Sequence, residues 1–429
     1  MKKLIAILCL SSLVLLISSP LLAGGITNKQ NFSVEYLRTA SRNAATDSAD
    51  AALYNPAGVT QMEDGIYVNA GAFYALKDYS NTIAGKEYSS DEPSIVPSLI
   101  GLYKKGNWAA FGAFTIPYGG GKVVYDQGDA TTMGYGTQLI TGINQLLRLP
   151  APPAGPGLGL PFDAYATIDS QSMEAESIGY GITLGGAYQY NDILSIALGL
   201  RYIDSNKEAQ ASISIGPSVI GAGVGIPVRN FNIDYKEKAD GWGGFVGLNI
   251  TPQDSINIGL RYETSTDLDY KTSVNRDDTG MLVNGATTGE NLPGLLGIGL
   301  GYRIRPDLKV DMSLTYYLEK SADRQAVRFR DVSNGYDLAI ALEFIINPKL
   351  KGSLGYMYTN IKMDPDDMLP EAAELDANTF CGGIVYTFKT GLELNLGVMK
   401  NIYNREVTSG GILLDKKLFN IGLGFQYKF

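Results

Sequence analysis

The 429-residue chain contains no histidine and only two cysteines. The first absence removes serine–histidine triads, histidine–zinc sites and imidazole general bases. The second leaves little for a disulfide framework. Charged residues make up only 18% of the chain, and acidic residues outnumber basic ones 44 to 35. A formal charge of -9 is the wrong sign for a nucleic-acid partner. No cofactor and no metal site is expected. What the chain has in quantity is glycine, 51 residues, and tyrosine, 27 residues.

The first residues read as an address. Met1-Lys2-Lys3 is a short basic start, residues 4–17 are almost wholly apolar, and Ser18-Ser19-Pro20 breaks the run before Leu21-Leu22-Ala23-Gly24. The apolar stretch is too short to span a bilayer comfortably, and a small residue sits at the expected cut after Ala23. We therefore read 1–23 as a secretory signal. Its removal takes away Lys2, Lys3 and Cys9, moving the formal charge to -11 and leaving Cys381 as the one thiol. An exported chain without a disulfide must be held by its backbone ladder and packing.

The last thirteen residues, KLFNIGLGFQYKF, separate into two faces. Phe419, Ile421, Leu423, Phe425, Tyr427 and Phe429 share one; Asn420, Gly422, Gly424, Gln426 and Lys428 share the other. A period of two means a strand. The aromatic last residue resembles the signal by which the barrel assembly machinery recognises bacterial outer-membrane barrels. The same alternation recurs in 194–202, 256–263, 310–319 and 336–346. In an exported chain the apolar face meets lipid and the small or charged face a lumen. Arg201, Arg261, Glu263, Arg303, Asp311, Glu319, Asp337 and Glu343 on the lumen face are expected to pair with one another. One basic member meeting the carboxylate of a bound ligand is an open alternative.

Tight turns at 104–107, 191–192, 252–254, 306–307, 347–349 and 389–391 mark one end of the strands, expected to be periplasmic. Longer connections at 119–166, 212–228, 271–291 and 362–377 should be extracellular. The count is about fourteen strands from Gly65 onward. The fold class is thus all-β: a fourteen-stranded antiparallel transmembrane β-barrel, residues 63–429. It is preceded at 24–62 by a short, partly helical plug rich in alanine and small polar residues. Within it 33–45 can be helical, with Val34, Leu37 and Ala40 at helical spacing.

The plug carries a resemblance. Arg42-Asn43-Ala44-Ala45-Thr46-Asp47, Ala51-Ala52-Leu53-Tyr54 and especially Asn55-Pro56-Ala57-Gly58 resemble the amino-terminal hatch of the FadL/TodX family, which are outer-membrane transporters of long-chain fatty acids and aromatic hydrocarbons. The likeness continues through 95–121 and returns at the terminal strand. It implies a barrel closed by a hatch, capture of hydrophobic cargo at extracellular loops, an interior apolar pocket, and sideways exit through the wall at a kinked third strand. Transport would be passive, with no enzymatic step.

Three candidate sites follow. Leu139, Ile143, Leu146 and Leu147 would share one face of a short helix ended by the prolines from Pro150, an exposed patch for capture. A loop packed on its neighbours is the alternative. Pro97 within the second strand and Pro117 at the end of the third cannot donate to a ladder, and a closed barrel has no free edge to shelter them. With Gly112 easing a bend, they mark a lateral exit or, equally, a bulge near a strand end. Asn55, Pro56, Ala57 and Gly58 would hold or cover that gap, or simply turn the chain into the first strand. The expected function is passive uptake of hydrophobic compounds across the bacterial outer membrane by a monomer in contact with outer-membrane lipid and lipopolysaccharide. A diffusion porin for small polar solutes is the alternative.

Overall fold

A computed structural model describes residues 28, 30–152, 155–325 and 332–429. The signal expected at 1–23 lies outside the described residues. Fourteen antiparallel strands form a closed wall. They are β1 (Gly65–Ile83), β2 (Ser94–Lys105), β3 (Trp108–Tyr125), β4 (Tyr165–Gln189), β5 (Leu194–Pro217), β6 (Arg229–Gln253) and β7 (Ile256–Glu263). They continue as β8 (Leu295–Arg305), β9 (Leu308–Tyr317), β10 (Tyr336–Asn347), β11 (Leu350–Asn360), β12 (Ala377–Thr387), β13 (Glu393–Tyr403) and β14 (Leu413–Lys428). Closure is made by β14 on β1, from Tyr67–Lys428 to Thr82–Leu413.

The period of two sorts every wall strand between lipid and lumen. In β14, Ile421, Leu423 and Phe425 face outward, whereas Asn420 and Gln426 are buried inside. In β10, Leu338, Ile340 and Leu342 point out and Asp337, Ala339 and Ala341 point in. Each tight turn expected at the periplasmic end joins two adjacent strands.

The extracellular side differs from expectation. β4, β5 and β6 run for 24 to 25 residues, well beyond what a membrane needs. At roughly 3.3 Å per residue each approaches 80 Å along its axis, against an apolar band about 25 Å tall. The first parts of the expected loops, 212–217 and 119–125, are therefore strand, not loop: the ladder simply continues in water. Above Tyr202 and Trp242 the outer surface turns charged, with Lys236 and Glu208 paired at 2.7 Å and Lys122 and Glu174 at 2.6 Å. Helix α3 (Ala130–Arg148), opened by an Asp129–Thr132 capping box, packs on this tall tongue.

The plug is compact and lies inside the lumen. Helix α1 (Val34–Thr39) starts at Ser33, whose side chain accepts from the Tyr36 N–H, and stops at Ala40 with φ 53°. It is shorter than the expected 33–45, because that left-handed residue ends it. Helix α2 (Ala51–Tyr54) follows. Tyr54 stacks between Phe32 and Tyr36, at centroid distances of 5.8 and 5.4 Å. Lumen-facing wall glycines make this fit. A Cβ at Gly259 would stand 2.0 Å from the Asn43 carbonyl oxygen, and one at Gly299 would stand 2.2 Å from the Asn43 carbonyl carbon. The wall's glycine content is thus a bed for the plug backbone.

Gly299→Ala should therefore lift the plug or strain it, costing about 1–3 kcal/mol as overpacking does. Urea unfolding in lipid vesicles and single-channel recording read this: a lower midpoint or new openings are expected, and a wild-type profile would show that the plug is not bedded there.

Candidate functional site

Between β2 and β3 the ladder stops. Pairs run from Lys105–Trp108 up to Leu99–Phe114 and no further. Above that point β2 stays on β1, from Leu99–Ala70 to Ser94–Ala75. β3 stays on β4, but with register shifts between Thr115 and Tyr118 and again between Tyr118 and Gly121. Higher up, β3 is met instead by the short strand 86–90, where the Val124 N–H donates to the Ser90 hydroxyl at 2.8 Å. The sequence explains the break. Pro117 cannot donate, Gly119 and Gly121 take φ of +93° and +77°, and two bulges bend β3 inward so that Tyr118 is buried.

This unpaired stretch borders a cavity of about 310 Å³ in the lumen above the plug. Tyr36 forms part of its floor, its hydroxyl reaching the Met357 sulfur at 3.4 Å. Phe73, Ala75 and Tyr79 of β1, Ile116 of β3, Met399 and Tyr403 of β13 and Leu418 of β14 line its sides. Ile361, Glu374 and Leu375, from the connection between β11 and β12, also line it. Ile95, Val96 and 119–121 line it at the wall break, so the break and the cavity are continuous. Two ammonium groups enter it, from Lys77 and Lys416. The Lys416 Nζ lies 4.7 and 5.0 Å from the ring centres of Tyr79 and Tyr403, within cation–π range.

The expected site residues distribute unevenly. Pro97 is in β2, opposite Ala72 of β1 and exposed toward lipid. Pro117 lies inside β3, which runs eight residues further to Tyr125 than the expected strand end. Gly112 pairs with Gly101 in the intact lower ladder, so it is not at the break. Asn55, Pro56, Ala57 and Gly58 sit elsewhere. The Asn55 amide donates to the Ala45 carbonyl at 3.0 Å and to the Asn249 side chain at 2.7 Å, and Thr60 bonds Ser195 at 2.7 Å. These partners are at the periplasmic ends of β5 and β6, so the motif pins the plug to that wall and does not cover the break. Leu139, Ile143, Leu146 and Leu147 are on α3 as expected. Ile143 is buried and Leu139 and Leu147 are half-buried against Tyr165, Ile213 and Ile215, with Leu146 half-buried alongside. The patch expected to be exposed is packed on the tongue, because the long strands offer it an apolar surface.

The charged lumen network is paired partly within the barrel, as expected, and partly with the plug. Arg38 pairs with Glu343 at 2.7 Å, and the Arg261 guanidinium donates to Gln30 at 2.6 Å. Arg201 and Arg261 share Glu263 at 3.0 and 3.3 Å. Asp311 takes Lys309, Glu319 takes Arg324, and Asp337 accepts from Tyr317 and Thr359. Arg303 is exposed and outside the network. Within the plug Arg42 clamps Asp50, its Nε at 3.1 Å, and also reaches Asp47 at 3.0 Å. Lys77, Lys416, Tyr79 and Tyr403 are functional candidates that the alternation alone left unnoticed. Lys77 shares a lumen face with Phe73, Ala75 and Tyr79, and a lone lysine on such a face was the available signal.

A plugged barrel whose wall is interrupted beside an internal cavity defines the class, an outer-membrane β-barrel. A family model described as an outer membrane protein beta-barrel domain matches residues 208–388. No curated protein matches the sequence. Among solved structures, a Pseudomonas aeruginosa FadL homologue aligns with a TM-score of 0.67 at 14% identity, covering 94% of this chain and 100% of that one. The Pseudomonas putida toluene transporter TodX gives 0.64 at 15%, covering 91% and 97%. The Ralstonia pickettii toluene transporter TbuX gives 0.60 at 15% with the same coverage. The chain has the fold of these FadL and TodX structures.

One plug carboxyl carries a pH dependence. Burial, reinforced by Asp50, pushes Glu35 up to about 7, although Arg42 and the Asn69 amide oppose it. A raised carboxyl contributes stability that is complete below its ordinary value near 4.5 and lost as pH rises through about 7. The plug should therefore hold less firmly at pH 8 than at pH 5, and Glu35→Gln should flatten that fall. Unfolding midpoints across this range check it; an equal fall in the variant would remove Glu35 from the account.

Proposed function

We propose that the protein carries hydrophobic compounds passively across the outer membrane. Cargo enters from the extracellular side, rests in the cavity between Phe73 and Tyr403, and leaves sideways through the break between β2 and β3. The observation that carries the reading is the continuity of that cavity with an unpaired stretch of wall. In hydrocarbon, unpaired backbone groups cost several kcal/mol each, so a wall is left open only where something else satisfies or uses the opening. Dry apolar surface favours the cargo by about 25 cal/mol per Å² buried, enough to draw it past a polar surface layer without an energy source. The solved structures of similar fold, described as FadL and toluene transporters, agree with a hydrophobic cargo. The plug supports this reading over a diffusion porin, because Asn31 through Gln61 fill the lower lumen and are almost wholly buried.

Two measurements test the proposal. Ala75→Trp places an indole in the cavity and should lower uptake of a labelled long-chain or aromatic compound several-fold while the barrel still folds; unaltered uptake would contradict the route. In planar bilayers the wild-type protein should show only small conductance, whereas large steady porin-like steps would favour polar-solute diffusion.

A further inference from the structure

Opposite Lys77 the neighbouring strand is missing. β1 pairs with the short strand 86–90 as far down as Tyr79–Ser90, and with β2 only from Ala75–Ser94 onward. Residues 91–93 therefore occupy the place across from Lys77 without joining the ladder. The Lys77 side chain, only 6% exposed, bridges the interruption. Its ammonium donates to the carbonyl oxygens of Gly120 at 2.7 Å and Lys122 at 3.0 Å, both on the stretch of β3 that β2 leaves unpaired. Among the described residues no carboxylate lies within ion-pair distance of it. Gly121, between the two acceptors, makes this reach possible. A Cβ there would stand 3.2 Å from the Lys77 Nζ and 2.2 Å from the Ser94 hydroxyl. An ammonium has three donors and here meets two neutral acceptors at the edge of a largely apolar cavity. A carboxylate adds to the hydrogen bond a charge–charge attraction that the neutral carbonyls lack, and outside bulk water that attraction is strong.

We propose that Lys77 is the bolt of the wall break and decides which cargo draws it: a carboxylate head group entering the cavity takes the ammonium from the Gly120 and Lys122 carbonyls, and a neutral hydrocarbon does not. The inference rests on the reading of the break as the exit. Lys416, the other ammonium in the cavity, sits between the Tyr79 and Tyr403 rings and donates to the Ala373 carbonyl at 3.4 Å.

Hydrogen–deuterium exchange of the full-length protein in lipid nanodiscs, followed at amides 119–124, tests the bolt. Lys77→Met should speed exchange there about tenfold, Lys77→Arg should keep it slow, and Lys122→Met should leave it unchanged because that side chain pairs with Glu174 outside. In the wild-type protein, saturating hexadecanoate should reproduce the Lys77→Met pattern and hexadecane should not. That arm stands even if the variant fails to fold. Wild-type protection in Lys77→Met, no response to bound hexadecanoate, or an equal response to hexadecane would overturn the bolt. If neither compound binds the cavity, the uptake reading falls and the bolt with it. Normal uptake with an unresponsive 119–124 segment removes the bolt alone.

Discussion

Everything in this barrel answers to one constraint: in lipid, each backbone N–H and C=O must find a partner within the wall. Around most of the circumference the antiparallel ladder meets it strand by strand. Between β2 and β3 it does not, and the local sequence is built for the exception. Pro117 has no N–H to offer, the bulged stretch from Thr115 to Gly121 turns inward, and a lysine from the next strand but one serves two of the carbonyls left over. In the proposed function, the break beside the cavity turns that cost in the ladder into an exit.

The plug answers the complementary problem. A fourteen-stranded wall encloses more lumen than its own side chains fill. Here about thirty residues of the same chain fill the lower part, bedded on wall glycines and tied by an ion pair and a charge-assisted hydrogen bond that cross from plug to wall. Arg38–Glu343 and Arg261–Gln30 are such ties, each joining a charged side chain to a partner across the plug–wall boundary. The lumen is therefore neither a pore nor a uniform core. It is solid below and hollow above, and the hollow abuts the wall break.

Much of this was legible from residue order. Strict alternation gave the wall strands, their lipid faces and the periplasmic turns, since a period of two is a local property of the chain. The limits were equally physical. Alternation does not say where lipid ends, so the upper ends of β3 and β5, at 119–125 and 212–217, were read as loop. An amphipathic helix does not name what covers it, so α3 was read as exposed although its apolar face packs on Ile213 and Ile215. Pro117 marked disruption correctly as a residue type, but a bulge let β3 continue past it to Tyr125. Asn55-Pro56-Ala57-Gly58 was placed near the break by analogy, and only the fold shows it pinned to β5 and β6 instead. Lys77 matters through a contact 43 residues away, which no local pattern contains.

The central claim is that cargo passes through the wall and not along the axis. A hydrophobic cargo analogue bearing a photoreactive diazirine, activated while it is bound in lipid, reports this most directly. The account predicts label on residues 94–98 and 116–121, on both sides of the break. Label concentrated on 43–49 and the plug's periplasmic side, with none at the break, would contradict it.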